Sequence, residues 1–162
     1  MKVGTVASRV VITAPRNMPV ASAARLMREH HLGTLVVIDE SGSTVQPVGL
    51  VTDRDFMMEV LAQGVDPDVV TVGDLLSRPL VTVAEEASLV EAIHLMNRNG
   101  IRRLVVVDAA GNLAALLSMD DIVGVLAEEL TGISQAIESE QRTERRQRPA
   151  TDRRAMRSEV RT

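Results

Sequence analysis

Thr52, Arg54 and Asp55 stand where an apolar run changes its period, and a close copy of that arrangement returns with Ser118 and Asp121. Val48 to Val51 is short, apolar and sufficiently β-branched for a buried strand, while Phe56, Val60 and Leu61 fall at helical spacing. The polar residues therefore belong at a strand-to-helix corner, with Thr52 as the cap and Asp55 in the first turn. Such a corner presents backbone N–H groups and the positive end of a helix dipole, which suit a phosphate. Gly49 carries no side chain, so close approach of a ligand to the backbone is expected there. Taken once, Thr-x-x-Asp is an ordinary helix cap. Its return in Ala115-Leu116-Leu117-Ser118-Met119-Asp120-Asp121 gives it weight.

The elements that must hold these corners also come in pairs. Adding 69 to a residue number carries Val3-Gly4-Thr5-Val6-Ala7-Ser8-Arg9 onto Val72-Gly73-Asp74-Leu75-Leu76-Ser77-Arg78, and Leu35-Val36-Val37-Ile38-Asp39 onto Leu104-Val105-Val106-Val107-Asp108. The offset falls to 66 after Gly42 and Gly111, because the first copy has three extra residues within Ser43 to Pro47. Each copy reads as strand (Val10 to Thr13; Leu80 to Val83), helix, strand (Leu35 to Ile38; Leu104 to Val107), strand, helix. The first helices show apolar faces of Val20, Ala23, Ala24, Met27 and of Leu89, Ala92, Ile93, Met96. Pro19 is expected in a first turn, Ser88 and Glu91 as a capping box, and His31 and Gly100 as left-handed C-caps. Met57 and Met58 read as core filling, and the histidines, His30, His31 and His94, as helix-end or surface residues rather than ligands.

The last helix is expected to outrun its counterpart. Ile122, Leu126, Leu130, Ile133 and Ile137 continue an apolar stripe suited to packing on the module or on a second subunit, and from Ser139 a disordered tail is expected. Residues 1–140 carry 10 basic against 19 acidic side chains, whereas 141–162 carry 8 against 3, so an acidic body precedes a basic tail. Cysteine is absent and Phe56 is the sole aromatic residue, which removes disulfides, thiolate chemistry and aromatic base stacking. No apolar run is of membrane-spanning length and no signal-peptide pattern opens the chain, so a cytoplasmic protein is expected, with no membrane contact and nucleic acid disfavoured. There is no phosphate loop with its lysine, metal-ligand cluster or grouped nucleophile and base, so no catalytic or metal residue is assigned and the chain reads as a non-enzyme.

These two ordered sets of motifs, Leu-Val-Val-x-Asp and Gly49-Leu50-Val51-Thr52-x-x-Asp55 among them, resemble the paired CBS domain, or Bateman module. The resemblance covers roughly residues 3 to 130. It implies an α/β (α+β) fold of two βαββα repeats packed as a pseudo-twofold pair, with repeat 1 at 1–70, repeat 2 at 71–131 and a helix extension with a basic tail at 132–162. It further implies a homodimer, and clefts between the repeats that bind AMP, ADP, ATP or another adenosyl ligand, with NAD and S-adenosylmethionine as further candidates.

Carried over residue by residue, the resemblance implies a first half-site of Thr13, Ala14, Thr34, Leu35, Val36, Thr52, Arg54 and Asp55. The second comprises Thr82, Val83, Arg103, Leu104, Val105, Ser118 and Asp121. Asp55, acceptor-only, suits a sugar diol, Arg54 supplies a local cation, and Leu35 and Val36 are expected to flank the base. Met119-Asp120 replaces Asp53-Arg54 in the second copy, so unequal half-sites are expected. The function implied is a stand-alone regulatory module without a catalytic cofactor, signalling by a change of shape or oligomer to a protein partner. The alternative is a ligand-independent dimerisation or scaffold module whose tail engages the partner.

Overall fold

The computed structural model describes residues 1–39 and 45–147, and Met1–Ile122 forms one compact unit. The elements of that unit are a 3-10 turn (Val3–Thr5), β1 (Thr13–Pro15), α1 (Val20–His30), β2 (Thr34–Asp39), β3 (Gln46–Thr52), α2 (Asp53–Asp55) continued by a π-helical turn (Phe56–Leu61), a second 3-10 turn (Val72–Leu75), β4 (Thr82–Ala84), α3 (Leu89–Asn99), β5 (Arg103–Val107), β6 (Leu113–Ser118) and the start of α4 (Met119–Gln147). Two three-stranded sheets of identical topology result: β1 is parallel to β2 and β2 antiparallel to β3, while β4, β5 and β6 repeat the pattern. The first strands lie later than the sequence suggests, at Thr13–Pro15 and Thr82–Ala84. Their register is set by pairing with β2 and β5, not by their own composition.

The central strands are apolar almost throughout because both faces are covered. Leu35 and Val37 of β2 join Ala23 and Met27 of α1, whereas Val36 and Ile38 meet Val105 of β5 where the two sheets pack face to face. Leu104 and Val106 likewise join Ala92 and Met96 of α3. Helix α1 buries Val20, Ala23 and Met27 but leaves Ala24 exposed, which narrows the expected face. Pro19 is its cap residue, not its first helical residue, and Ser88 accepts from the Glu91 N–H without the reciprocal bond of a capping box. His31 and Gly100 end the two helices with φ of 53° and 62°.

The two repeats exchange their first segments. Val72 of the second 3-10 turn is fully buried in the core of repeat 1, while Val3 of the first is fully buried in the core of repeat 2. Gly73 N–H donates to Arg16 O and Gly4 N–H to Glu85 O, each at 2.9 Å, and the residues within each of these two sets are related by the same 69-residue offset. The Lys2–Glu86 and Arg9–Glu85 ion pairs fasten the N-terminal segment on repeat 2. Folding of either core therefore requires the other's leading segment.

The π turn is absent from the second copy, where α4 runs on regularly. It buries Val60 but turns Met57, Met58 and Leu61 outward, so the expectation that both methionines fill the core is corrected. The remainder of α4 forms a separate unit from Val123. Helix persists to Gln147, correcting the tail predicted from Ser139 as far as that residue, and the residues after it lie outside those described. Leu126, Leu130, Ile133 and Ile137 are each half exposed or more. Among the described residues no helix is long and apolar enough to cross a membrane.

Candidate functional site

Thr52 and Asp55 close on one another as the capping pattern dictates. The Thr52 N–H and hydroxyl both donate to Asp55 Oδ2 at 2.7 Å, and the Asp55 N–H returns to Thr52 Oγ1 at 3.3 Å. Ser118 and Asp121 repeat this geometry, at 2.8 and 2.6 Å to Asp121 Oδ2. The remaining first-turn amides of α2 are also engaged: Asp53 N–H donates to Gly33 O and Arg54 N–H to Asp53 Oδ1. The expected array of free N–H groups for a phosphate is thus corrected, since the turn satisfies its own donors.

Thr71 and Asp74 form the same pair before the second 3-10 turn, with Thr71 Oγ1 to Asp74 Oδ2 at 2.7 Å and Thr71 N–H to the same atom at 2.9 Å. The hydroxyl first, and the amide second, hold the exposed Asp74 carboxyl below the usual carboxylate range. This third hydroxyl–carboxylate pair is not part of the crevice beside Thr52. Local hydrogen bonding alone therefore does not distinguish a cap from a site, and the surroundings must.

Those surroundings differ at Thr52. A crevice of about 750 Å³ opens beside it, within the range of ligand sites. Repeat 1 lines it with Asp53, Arg54, Asp55 and Glu59; the segment entering β4 lines it with Arg78, the end of α3 with Asn99, and the residues entering β5 with Arg102 and Arg103. Leu50, Leu75, Leu76, Leu80, Val81 and Ile101 supply apolar surface. Thr34, opposite Thr52 in the β2–β3 register, also lines it; only 7% exposed, its Oγ1 has no hydrogen-bond partner among the described residues. A buried hydroxyl left unpaired costs about 1–3 kcal/mol.

Of the first half-site, Thr34, Thr52, Arg54 and Asp55 converge on this crevice. Ala14, Leu35 and Val36 are fully buried, and their side chains belong to the cores instead of the crevice lining; Thr13, partly buried on β1, is also outside the lining. Of the second set, Arg103 lines the same crevice. Thr82, Val83, Leu104, Val105, Ser118 and Asp121 do not border it, and Leu104 and Val105 are fully buried. Sequence reading missed Glu59, Arg78, Asn99 and most of the apolar lining. The signal available was the motif Val72 to Arg78, whose exchange between repeats no spacing reveals. The space beside Gly49 is also taken, because a β-carbon there would lie 2.3 Å from Leu76 Cδ2. The close approach expected of a ligand is made by that leucine.

Two βαββα repeats line one crevice, and comparison with known proteins gives the family. The CBS domain model matches residues 3–62 and again 72–128, so the chain belongs to the CBS-domain family. An uncharacterised protein of Methanopyrus kandleri is 40% identical over 125 residues, 77% of this chain and 62% of its own length, so the match spans less than two thirds of that relative. The fold is similar to a CBS domain pair solved in complex with 5′-methylthioadenosine and S-adenosyl-L-methionine, with a TM-score of 0.67 and 25% identity over 78% of this chain and 99% of the other. A CBS domain protein from Pyrobaculum aerophilum, complexed with AMP, shares the fold at a TM-score of 0.70, with 24% identity over 81% of this chain and 99% of its own.

Proposed function

We propose that the crevice binds an adenosine compound and that the chain is a regulatory sensor, not a catalyst. The observation that carries this reading is the crevice of about 750 Å³ in which Thr52, Arg54 and Asp55 of repeat 1 share an apolar lining with Arg102 and Arg103 of repeat 2. Asp55 Oδ2 is occupied by Thr52, while Oδ1 accepts no bond from a described residue and is free for sugar hydroxyls. Apolar side chains including Leu50 and Leu80 offer faces for a base. The similar CBS pair with bound adenosyl compounds supports the ligand class. Because residues of both repeats line the crevice, a ligand held by both shifts the balance between their arrangements through its unequal affinity for them. Ser118 and Asp121 form a second, unequal half-site in this proposal.

A thermal-shift panel of AMP, ADP, ATP, NAD and S-adenosylmethionine tests it: at least one is expected to raise Tm, by an amount that grows with the logarithm of its concentration above Kd. A flat panel favours the alternative, a scaffold in which the corners are caps alone. The exposed stripe of α4 supports a homodimer as a further part of the proposal.

A further inference from the structure

We infer that Leu76 is a wedge that keeps the crevice open by holding residues 77–79 off the edge of β3, and that the counterpart strap, residues 8–10, is shut on β6, so that the place beside Thr52 takes ligand far more readily than its equivalent beside Ser118. The inference takes its ligand from the adenosine-site reading and its geometry from elsewhere. The Ser8 N–H donates to Leu116 O and the Leu116 N–H to Ser8 O, each at 2.9 Å, which bridges the strap to the free edge of β6. The offsets of 69 and 66 make Ser77 and Leu50 the counterparts of these two residues. Both line the crevice, and no backbone hydrogen bond joins Ser77 to a described residue. Leu50 is nevertheless aimed for one. It stands opposite Val36 as Leu116 stands opposite Val105, and the Val36 N–H donates away from β3, to Ile12 O. The Leu50 N–H and C=O therefore point to the free edge of β3.

Side-chain size separates the two arrangements. Leu76 precedes Ser77 and its Cδ atoms fill the space over Gly49, beside Leu50, whereas Ala7 precedes Ser8 and packs in the core that buries Ala115. The extra isopropyl group lies between strap and strand in repeat 1 alone. Charge acts in the same direction. Arg9 is paired with Glu85 at 3.0 Å, while the residues at the equivalent positions of repeat 1 are Arg78 and Arg16, two cations that cannot latch. Closing Ser77 onto Leu50 would take up crevice space, so closure and ligand exclude one another. Apparent affinity then falls with the fraction of chains left open.

Amide hydrogen exchange by NMR, with titration calorimetry using AMP and ATP, tests the wedge. The variants are Gly49→Ala/Leu76→Ala, which gives repeat 1 the small pair of repeat 2, and the reciprocal Ala115→Gly/Ala7→Leu, which decides the matter if the first fails to fold. In wild type, after correction for intrinsic rates, the Leu116 amide is expected to exchange at least about tenfold more slowly than the Leu50 amide, with a single tight site per chain. Gly49→Ala/Leu76→Ala is expected to slow Leu50 at least about tenfold and to weaken AMP and ATP by the same factor, since one equilibrium governs both. The reciprocal variant is expected to speed Leu116 and to leave binding within about twofold. Equal protection of Leu50 and Leu116 in wild type, a Leu50 amide unmoved in the first variant, a Leu116 amide unmoved in the second, slowed exchange without loss of affinity, or two equal sites per chain would overturn the inference and leave the adenosine site standing. The expected exchange pattern without binding of AMP or ATP to wild type would keep the wedge and remove the adenosine reading instead.

Discussion

Gly49 and Leu76 occupy one volume: a β-carbon on the glycine would lie 2.3 Å from Cδ2 of the leucine and 2.8 Å from Cδ1. The second repeat solves the same problem with Ala115 at the glycine's position and Ala7 at the leucine's, Ala7 packing against the core that buries Ala115. Small and large have been redistributed across the exchanged segments. Gly49→Ala alone is expected to cost about 1–3 kcal/mol in urea unfolding, and Leu76→Ala introduced with it to recover much of that loss. Strictly additive losses would show that the two positions are not coupled.

Thr34→Val separates stability from binding by sign. Removing a buried hydroxyl that lacks a partner is expected to raise unfolding free energy by about 1 kcal/mol, while ATP binding weakens about tenfold. A less stable valine variant would mean that the hydroxyl is already satisfied in the folded protein.

Asp55→Ala and Asp74→Ala remove caps of the same geometry, so each is expected to lower stability by about 1 kcal/mol. Only the first borders the crevice. Loss of ATP binding in Asp55→Ala but not in Asp74→Ala, measured by calorimetry, is the expected result; equal retention in both would reduce the Thr52 corner to a cap.

Acid should erase one stabilising contribution in a predictable direction. The Asn112 backbone N–H first, and its side-chain amide second, hold the Asp108 carboxyl below its ordinary value. A depressed folded pKa stabilises the protein above the unfolded value, about 3.9, and that contribution disappears as pH falls through the lower folded value. The Tm advantage of wild type over Asp108→Asn is thus expected to be full near neutrality and to close below about pH 4. An advantage that widens on acidification contradicts this.

Helix α4 exposes Leu126, Leu130, Ile133 and Ile137 along one stripe. A second copy packed on this stripe buries a shared apolar seam. Sedimentation velocity is expected to show a dimer that Leu130→Glu dissociates; an unchanged sedimentation coefficient argues against this seam.

The sequence by itself determined the duplication, the order of elements, the amphipathic faces and the Thr52–Asp55 and Ser118–Asp121 pairs, because each rests on periodicity or on contacts within one turn. It misplaced β1 and β4, whose register is imposed by neighbouring strands, and it did not show the π turn that exposes Met57 and Met58. Tertiary structure alone decided that Val3 and Val72 cross to the opposite cores, that Leu35 and Val36 are buried in packing, and that Arg102 and Arg103 line the crevice beside Thr52. A one-dimensional pattern specifies which face of an element is apolar but not which element covers it. That choice depends on how two nearly identical repeats fit together, and here their fit leaves a crevice open beside one Thr-x-x-Asp pair.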